Sequence, residues 1–159
     1  MRKASPRFSP LCLVVFGVFA LYAPSLRLML LHDDALIVDG MRHYSIVTIF
    51  TDVFTSGGAN YRPVGTGLWI LIRDLFGWFL APLLHAINVW SHVLNVSLVM
   101  ALAARLGRRL GLRTLAFPVL CGLMFGVYPL SYQAVLWASA FYHPVLTTFG
   151  LFSVHGYLF

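Results

Sequence analysis

Two carboxylates stand side by side at Asp33 and Asp34, directly after an apolar run and His32. Adjacent acids can bind a hard cation, or one can take a proton from a hydroxyl while the other supports it. Their mutual repulsion would raise the pKa of one, which suits proton abstraction. The plain alternative is a solvated helix end. Asn60, Tyr61, Arg62 and Pro63 then place a cation before a rigid turn. A guanidinium forks onto two phosphate oxygens, so Arg62 suits a phosphate, with Tyr61 beside it. It could equally snorkel from an apolar segment to a polar boundary. Further along, His85, Asn88, His92 and Asn95 recur at spacings of three, four and three. At about 100° per residue they fall on one stripe of a helix. Such a stripe joins helices through hydrogen bonds worth about 0.6–2 kcal/mol each, or it faces a polar cavity. His85 and Asn88 lie next to the acid-bearing loop, which favours a site there.

The elements that must hold these residues follow from composition. Of 159 residues, 60% are hydrophobic and only 10% charged, against about 25% charged in a soluble domain. Residues 8–26, 75–104 and 114–159 contain no Asp, Glu, Lys or Arg. A helix needs roughly 20 mostly apolar residues to cross the hydrocarbon of a bilayer. Strands of a membrane barrel would alternate apolar with polar residues, and these runs do not. The expected fold is therefore all-α and polytopic, with spans near 8–30, 85–104, 115–130 and 141–159.

Charge sets the expected orientation. All five acids fall between Asp33 and Asp74. Arg2, Lys3 and Arg7 precede the first run, and Arg105, Arg108, Arg109 and Arg113 separate the second from the third. Lys and Arg collect in cytoplasmic loops, so the N-terminus is expected in the cytoplasm and the loop 32–84 outside. Within that loop, 63–82 is apolar but carries Arg73 and Asp74 near its middle. Each would cost roughly 2.5–3.5 kcal/mol at the centre of a span. Adjacent helix residues point in different directions and do not easily neutralise each other. The segment reads as one or two amphipathic helices in the outer interface. Small residues near Ala20 and Ala23 resemble a signal-peptide cleavage site, but the apolar run exceeds the usual 7–15 residues, which favours a retained anchor.

Several other classes lose support. The net charge of +6 comes from basic residues flanking apolar runs, which topology explains better than nucleic acid does. Cys12 and Cys121 both lie in apolar runs and offer neither a disulfide framework nor a metal spacing. The triplet Asn95-Val96-Ser97 matches a glycosylation acceptor but sits inside an expected span. Tyr61, Trp69, Trp78, Trp90 and Tyr128 read as interface anchors or core packing.

The order of these pieces resembles a family. A basic N-terminus and one span lead to Asp33-Asp34. A loop with Tyr61-Arg62-Pro63 follows, then His85, Asn88 and His92 opening a span. An Arg-rich turn comes next, and a span ending in Tyr128-Pro129, with Gln133 and Trp137 beyond it. This resembles the N-terminal part of GT-C membrane glycosyltransferases, in the branch of protein O-mannosyltransferase-like enzymes with tetratricopeptide repeats and their bacterial relatives. The resemblance runs from about residue 28 to residue 137. It implies transfer of a sugar from a polyprenyl-phosphate donor to an acceptor hydroxyl on the extracytoplasmic side. It also implies membrane-surface helices in the first outer loop, which agrees with the placement of 63–82.

By the resemblance, Asp33 matches the first acid of the family's pair and is the expected base, with Asp34 beside it. Arg62 and Tyr61, with His85, Asn88, His92 and Gln133, are the candidate substrate-binding residues. The family usually has His-Pro with a Glu four residues on; here Tyr128-Pro129 and Gln133 stand in those places. Where a Gly-Arg pair commonly follows the Trp, this chain has Ala140-Phe141. No metal site is carried over and no cofactor is expected. Relatives have many more helices, so the chain reads as a fragment. The competing expectation is a non-catalytic membrane protein, such as a transporter piece or assembly subunit, or an inactive truncated remnant.

Overall fold

The computed structural model describes residues 9–51, 62–112 and 114–158, apart from the side chain of His32. All regular elements among them are helical. Helix α1 (Pro10–Tyr22) starts with a proline in its first turn, where the missing N–H costs no hydrogen bond. Pro24 then tightens the chain into a 3-10 turn, Ala23–Arg27. The Ser25 hydroxyl donates to the Tyr22 carbonyl at 2.7 Å, occupying an acceptor left at the helix end. Two short helices follow, α2 (His32–Met41) and α3 (Ile46–Thr51), then α4 (Pro63–Phe76) and the long α5 (Ala81–Arg109). The last part comprises α6 (Ala116–Gly126), α7 (Ser131–Leu136), a 3-10 turn at Ala138–Ala140 and α8 (Tyr142–Leu158).

Among the described residues, Pro10–Arg27 and Ala81–Arg109 are the two helical segments long and apolar enough to cross a membrane. At 1.5 Å per residue α5 is about 43 Å long, and it forms the axis of the molecule. Helix α1 packs along it through Val14, Val18 and Tyr22 against Val89, Val93, Val96 and Met100. The segment expected as one span at 115–130 is broken. Helix α6 has 11 residues, about 16 Å, and stops before Pro129, which has no N–H to continue the ladder. The chain still climbs the length of α5. Phe117 lies at Gly107, Gly122 at Met100 and Gly126 at Val96, while Ala138 joins the cluster that contains Leu84. Helix α8 then runs back down, from Pro144 beside Asn95 to Leu158 beside Arg109.

Gly122 and Gly126 form a Gly-x-x-x-Gly face. A Cβ at the first would collide with Met100, and a Cβ at the second with Val18. Small residues at this spacing let helices approach closely, so α6 sinks between α1 and α5.

Helices α2 and α4 cap the N-terminal end of α5. Trp69, Ile72, Phe79 and Leu84 pack with Ala138 and Phe141, and Ile37, Val38 and Met41 of α2 lie against them. Arg73 departs from expectation. Its guanidinium does reach Asp74, with Nη2 2.7 Å from Oδ1. It also donates to the carbonyls of Met41 at 2.8 Å and Tyr44 at 2.9 Å. The long stem lets the charged fork leave the helix surface, so adjacency in sequence does not prevent pairing. Five N–H donors serve the ion pair and the open C-terminal end of α2 together.

Candidate functional site

The neighbouring acids are separated by the first turn of α2. Asp34 is only 1% exposed. One of its oxygens accepts the Leu31 N–H at 3.0 Å, the reach back to the helix start that an acid at the third position makes in a capping box. The other accepts the Ser139 N–H at 2.7 Å. Asp34 thus ties α2 to the 3-10 turn beyond α7. Adjacent helix positions differ by about 100°, so with Asp34 turned inward Asp33 is exposed. Both carboxylates sit in the first turn of α2, where the helix dipole favours negative charge.

Asp33 lines a cavity of about 670 Å³ together with Arg62, Gln133, Tyr142 and His143. His92 and Asn95 also line it. Arg62 precedes α4, and its guanidinium carbon lies 4.0 Å from the centre of the Tyr142 ring. Arg62 and Tyr142 also border a second cavity of about 260 Å³, beside Trp69 and Tyr44. They form a partition between the two spaces.

The polar stripe of α5 is buried along its whole length. Asn88 donates to the Trp137 carbonyl at 2.6 Å, and Asn95 to the Pro144 carbonyl at 2.8 Å. Thr148 donates to the Asn95 side-chain oxygen at 2.7 Å. His92 Nε2 lies 3.1 Å from the Gly126 carbonyl. The Gly126 and Trp137 carbonyls sit where α6 and α7 end, which is where helices leave carbonyls unpaired, and the Pro144 carbonyl lies in the first turn of α8. Asn88 and His92 therefore hold the broken segment in place, and Asn95 holds α8. His85 differs: neither ring nitrogen has a hydrogen-bond partner, although the Met29 and Leu136 carbonyls and the Asp34 carboxylate lie around it.

Of the residues singled out in the sequence, the cavity collects Asp33, Arg62, His92 and Gln133. Asp34, His85 and Asn88 do not line it; Asp34 and Asn88 spend their hydrogen bonds on backbone, as above. Tyr61 lies outside the described residues. Sequence reasoning overlooked Tyr142 and His143. Their signal was a polar pair inside an apolar run, immediately before Pro144. Among the described residues no group of three or more His, Cys, Asp or Glu side chains could hold a metal ion. Set beside known protein families, curated proteins and solved structures, the chain matches no family model, no curated protein and no solved structure.

Proposed function

We propose that this chain belongs to a membrane glycosyltransferase of the GT-C type, which moves a sugar from a polyprenyl-phosphate donor to an acceptor hydroxyl on the extracytoplasmic side. The observation that carries the reading is the meeting of an exposed Asp33 carboxylate and the Arg62 guanidinium on one cavity. Such a pair supplies the two things the reaction needs. Asp33 takes the proton from the acceptor hydroxyl, a weak nucleophile until a base acts on it. Arg62 offsets the charge on the leaving phosphate. In this reading the membrane is crossed four times, by α1 with its 3-10 turn, by α5, by the broken pair α6–α7 and by α8. The N-terminus and the Arg105–Arg109 end of α5 face the cytoplasm, and α2 to α4 lie at the outer interface.

Support for a lipid setting comes from the outer surface of the helices. Phe16, Leu120, Met124, Leu146 and Phe149 are all more than half exposed, and large exposed apolar patches are rare on soluble monomers. A second reading has its own support. Asn88, His92 and Asn95 act as ties between helices, which suits a non-catalytic assembly subunit as well as an enzyme. One substitution separates the two. Asp33→Asn keeps size and polarity but takes no proton at neutral pH. Transfer from a polyprenyl-phosphate sugar, measured in membranes expressing the protein, should fall by roughly 10²–10⁴. Near-normal transfer by a well-inserted Asp33→Asn protein would remove Asp33 as the base.

A further inference from the structure

The turn between α5 and α6 lies at the opposite end of α5 from the cap and takes no part in the chemistry above. Its backbone closes as a Schellman cap. The Leu112 N–H donates to the Gly107 carbonyl at 2.8 Å and the Gly111 N–H to the Arg108 carbonyl at 3.2 Å, with Gly111 in the left-handed region at φ 77°. These are the two bonds that define the motif, so a fixed backbone presents the residues around Gly111. What it presents is mixed. Arg108 is exposed, Leu110 and Leu115 are more than half exposed, and Leu112 is close to half. No Asp or Glu follows Asp74 in the sequence, so α5, α6 and α8 bring no acidic side chain to Arg108.

Helix length gives the depth of this turn. The 29 residues of α5 make about 43 Å, and a bilayer with both headgroup layers measures about 40–45 Å. A span that starts in one headgroup layer therefore ends in the other. An arginine there serves orientation equally well in water, but three exposed leucines beside it do not suit water. We propose that the α5–α6 turn is a docking surface for anionic phospholipid headgroups, in the cytoplasmic leaflet under the orientation given above. Arg108 takes the lipid phosphate, and Leu110, Leu112 and Leu115 lie against the first carbons of the acyl chains. Charge next to apolar surface matches the boundary between headgroups and acyl chains. A soluble anion would meet the arginine and leave the leucines wet. The surface needs a membrane and no step of sugar transfer, so it stands or falls on measurements that leave the transferase reading untouched.

The test is lipid binding to the purified protein in detergent micelles, read by native mass spectrometry during titration with phosphatidylglycerol or phosphatidylcholine. Wild type should bind phosphatidylglycerol more tightly, and added salt should reduce that preference. Arg108→Gln should weaken phosphatidylglycerol about fivefold, the share of one basic side chain at an anionic surface, and leave phosphatidylcholine unchanged. Arg108→Lys keeps the charge and should keep most of the preference. Leu110→Ser combined with Leu112→Ser should weaken both lipids about fivefold or more, because the apolar contact is common to them. All these side chains are exposed, so the variants should fold as wild type does. Arg42→Gln, an exposed arginine at the other end of the molecule, should change nothing. Equal affinity of wild type for the two lipids would overturn the proposal. So would a preference untouched by Arg108→Gln, or one that Arg42→Gln lowers as much. Displacement of phosphatidylglycerol by an equal concentration of glycerol 3-phosphate would make the turn a site for soluble anions and overturn the lipid assignment.

Discussion

Asp33 and Asp34 share a chemistry and a helical turn, but their surroundings divide them. Asp34 spends its oxygens on the Leu31 and Ser139 N–H groups, and a carboxylate so engaged is a structural acceptor rather than a free base. Removing it leaves two backbone donors without a partner in a poorly hydrated place. Asp34→Ala should destabilise the protein by roughly 1–3 kcal/mol for each N–H left unpaired. Asp34→Asn keeps one acceptor oxygen and should cost less. Thermal unfolding in detergent measures both, and an Asp34→Ala protein as stable as wild type would show that these bonds do not tie α2 to the 3-10 turn. The contrast with Asp33 matters. Its substitution should leave stability unchanged and act on transfer, because its carboxylate is exposed to the cavity.

At the scale of elements, α5 is the post on which the rest is hung, and two devices attach the broken segment to it. One is polar: His92 and Asn88 take up the carbonyls where α6 and α7 end, while Asn95 ties down the first turn of α8. The other is steric. Gly126 lets α6 lie against Val18 and Val96 without a side chain in the gap. Gly126→Leu must push α6 away from α1, and overpacking of this kind costs about 1–3 kcal/mol. The expected outcome is a lower melting temperature in detergent, with Gly126→Ala intermediate. Since α6 leads into α7 and the Gln133 wall of the cavity, the same variant should weaken donor binding. Equal stability of Gly126→Leu and wild type would mean that α6 does not seat between α1 and α5.

For the whole molecule, the arrangement of charge gives a test of orientation. Arg105 and Arg109 sit at one end of α5 and reach His155 and the Leu158 carbonyl at the foot of α8. Asp33, Arg62 and Arg73 sit towards the other end. With basic residues held on the cytoplasmic side, a cysteine placed at Arg109 should resist a membrane-impermeant thiol reagent in intact cells. One placed at Arg42, which is exposed, should react. Cys12 and Cys121 are unpaired and must first be replaced. Labelling at Arg109 and none at Arg42 would invert the proposed topology.

The all-helical architecture, the two long apolar segments and the single-face alignment of His85, Asn88, His92 and Asn95 were legible from the sequence, because hydropathy and a repeat near 3.6 residues are local properties. The Gly-x-x-x-Gly pair on α6 was equally legible and was overlooked. Only the tertiary structure decided which aspartate turns inward, since adjacent helix positions are equivalent until α2 docks on the Ser139 turn. The same holds for Arg73, whose reach to the end of α2 spans residues distant along the chain. The break in the third segment was half-written in Pro129, yet a proline alone does not say whether a helix kinks, ends or resumes. Carbonyl acceptors from three separate elements had to converge on α5 before its polar stripe could become a set of ties. Tyr142 and His143 gained a cavity to face only when α8 turned back beneath Arg62. Local periodicity writes the helices; which of their faces meet depends on contacts between residues far apart in sequence.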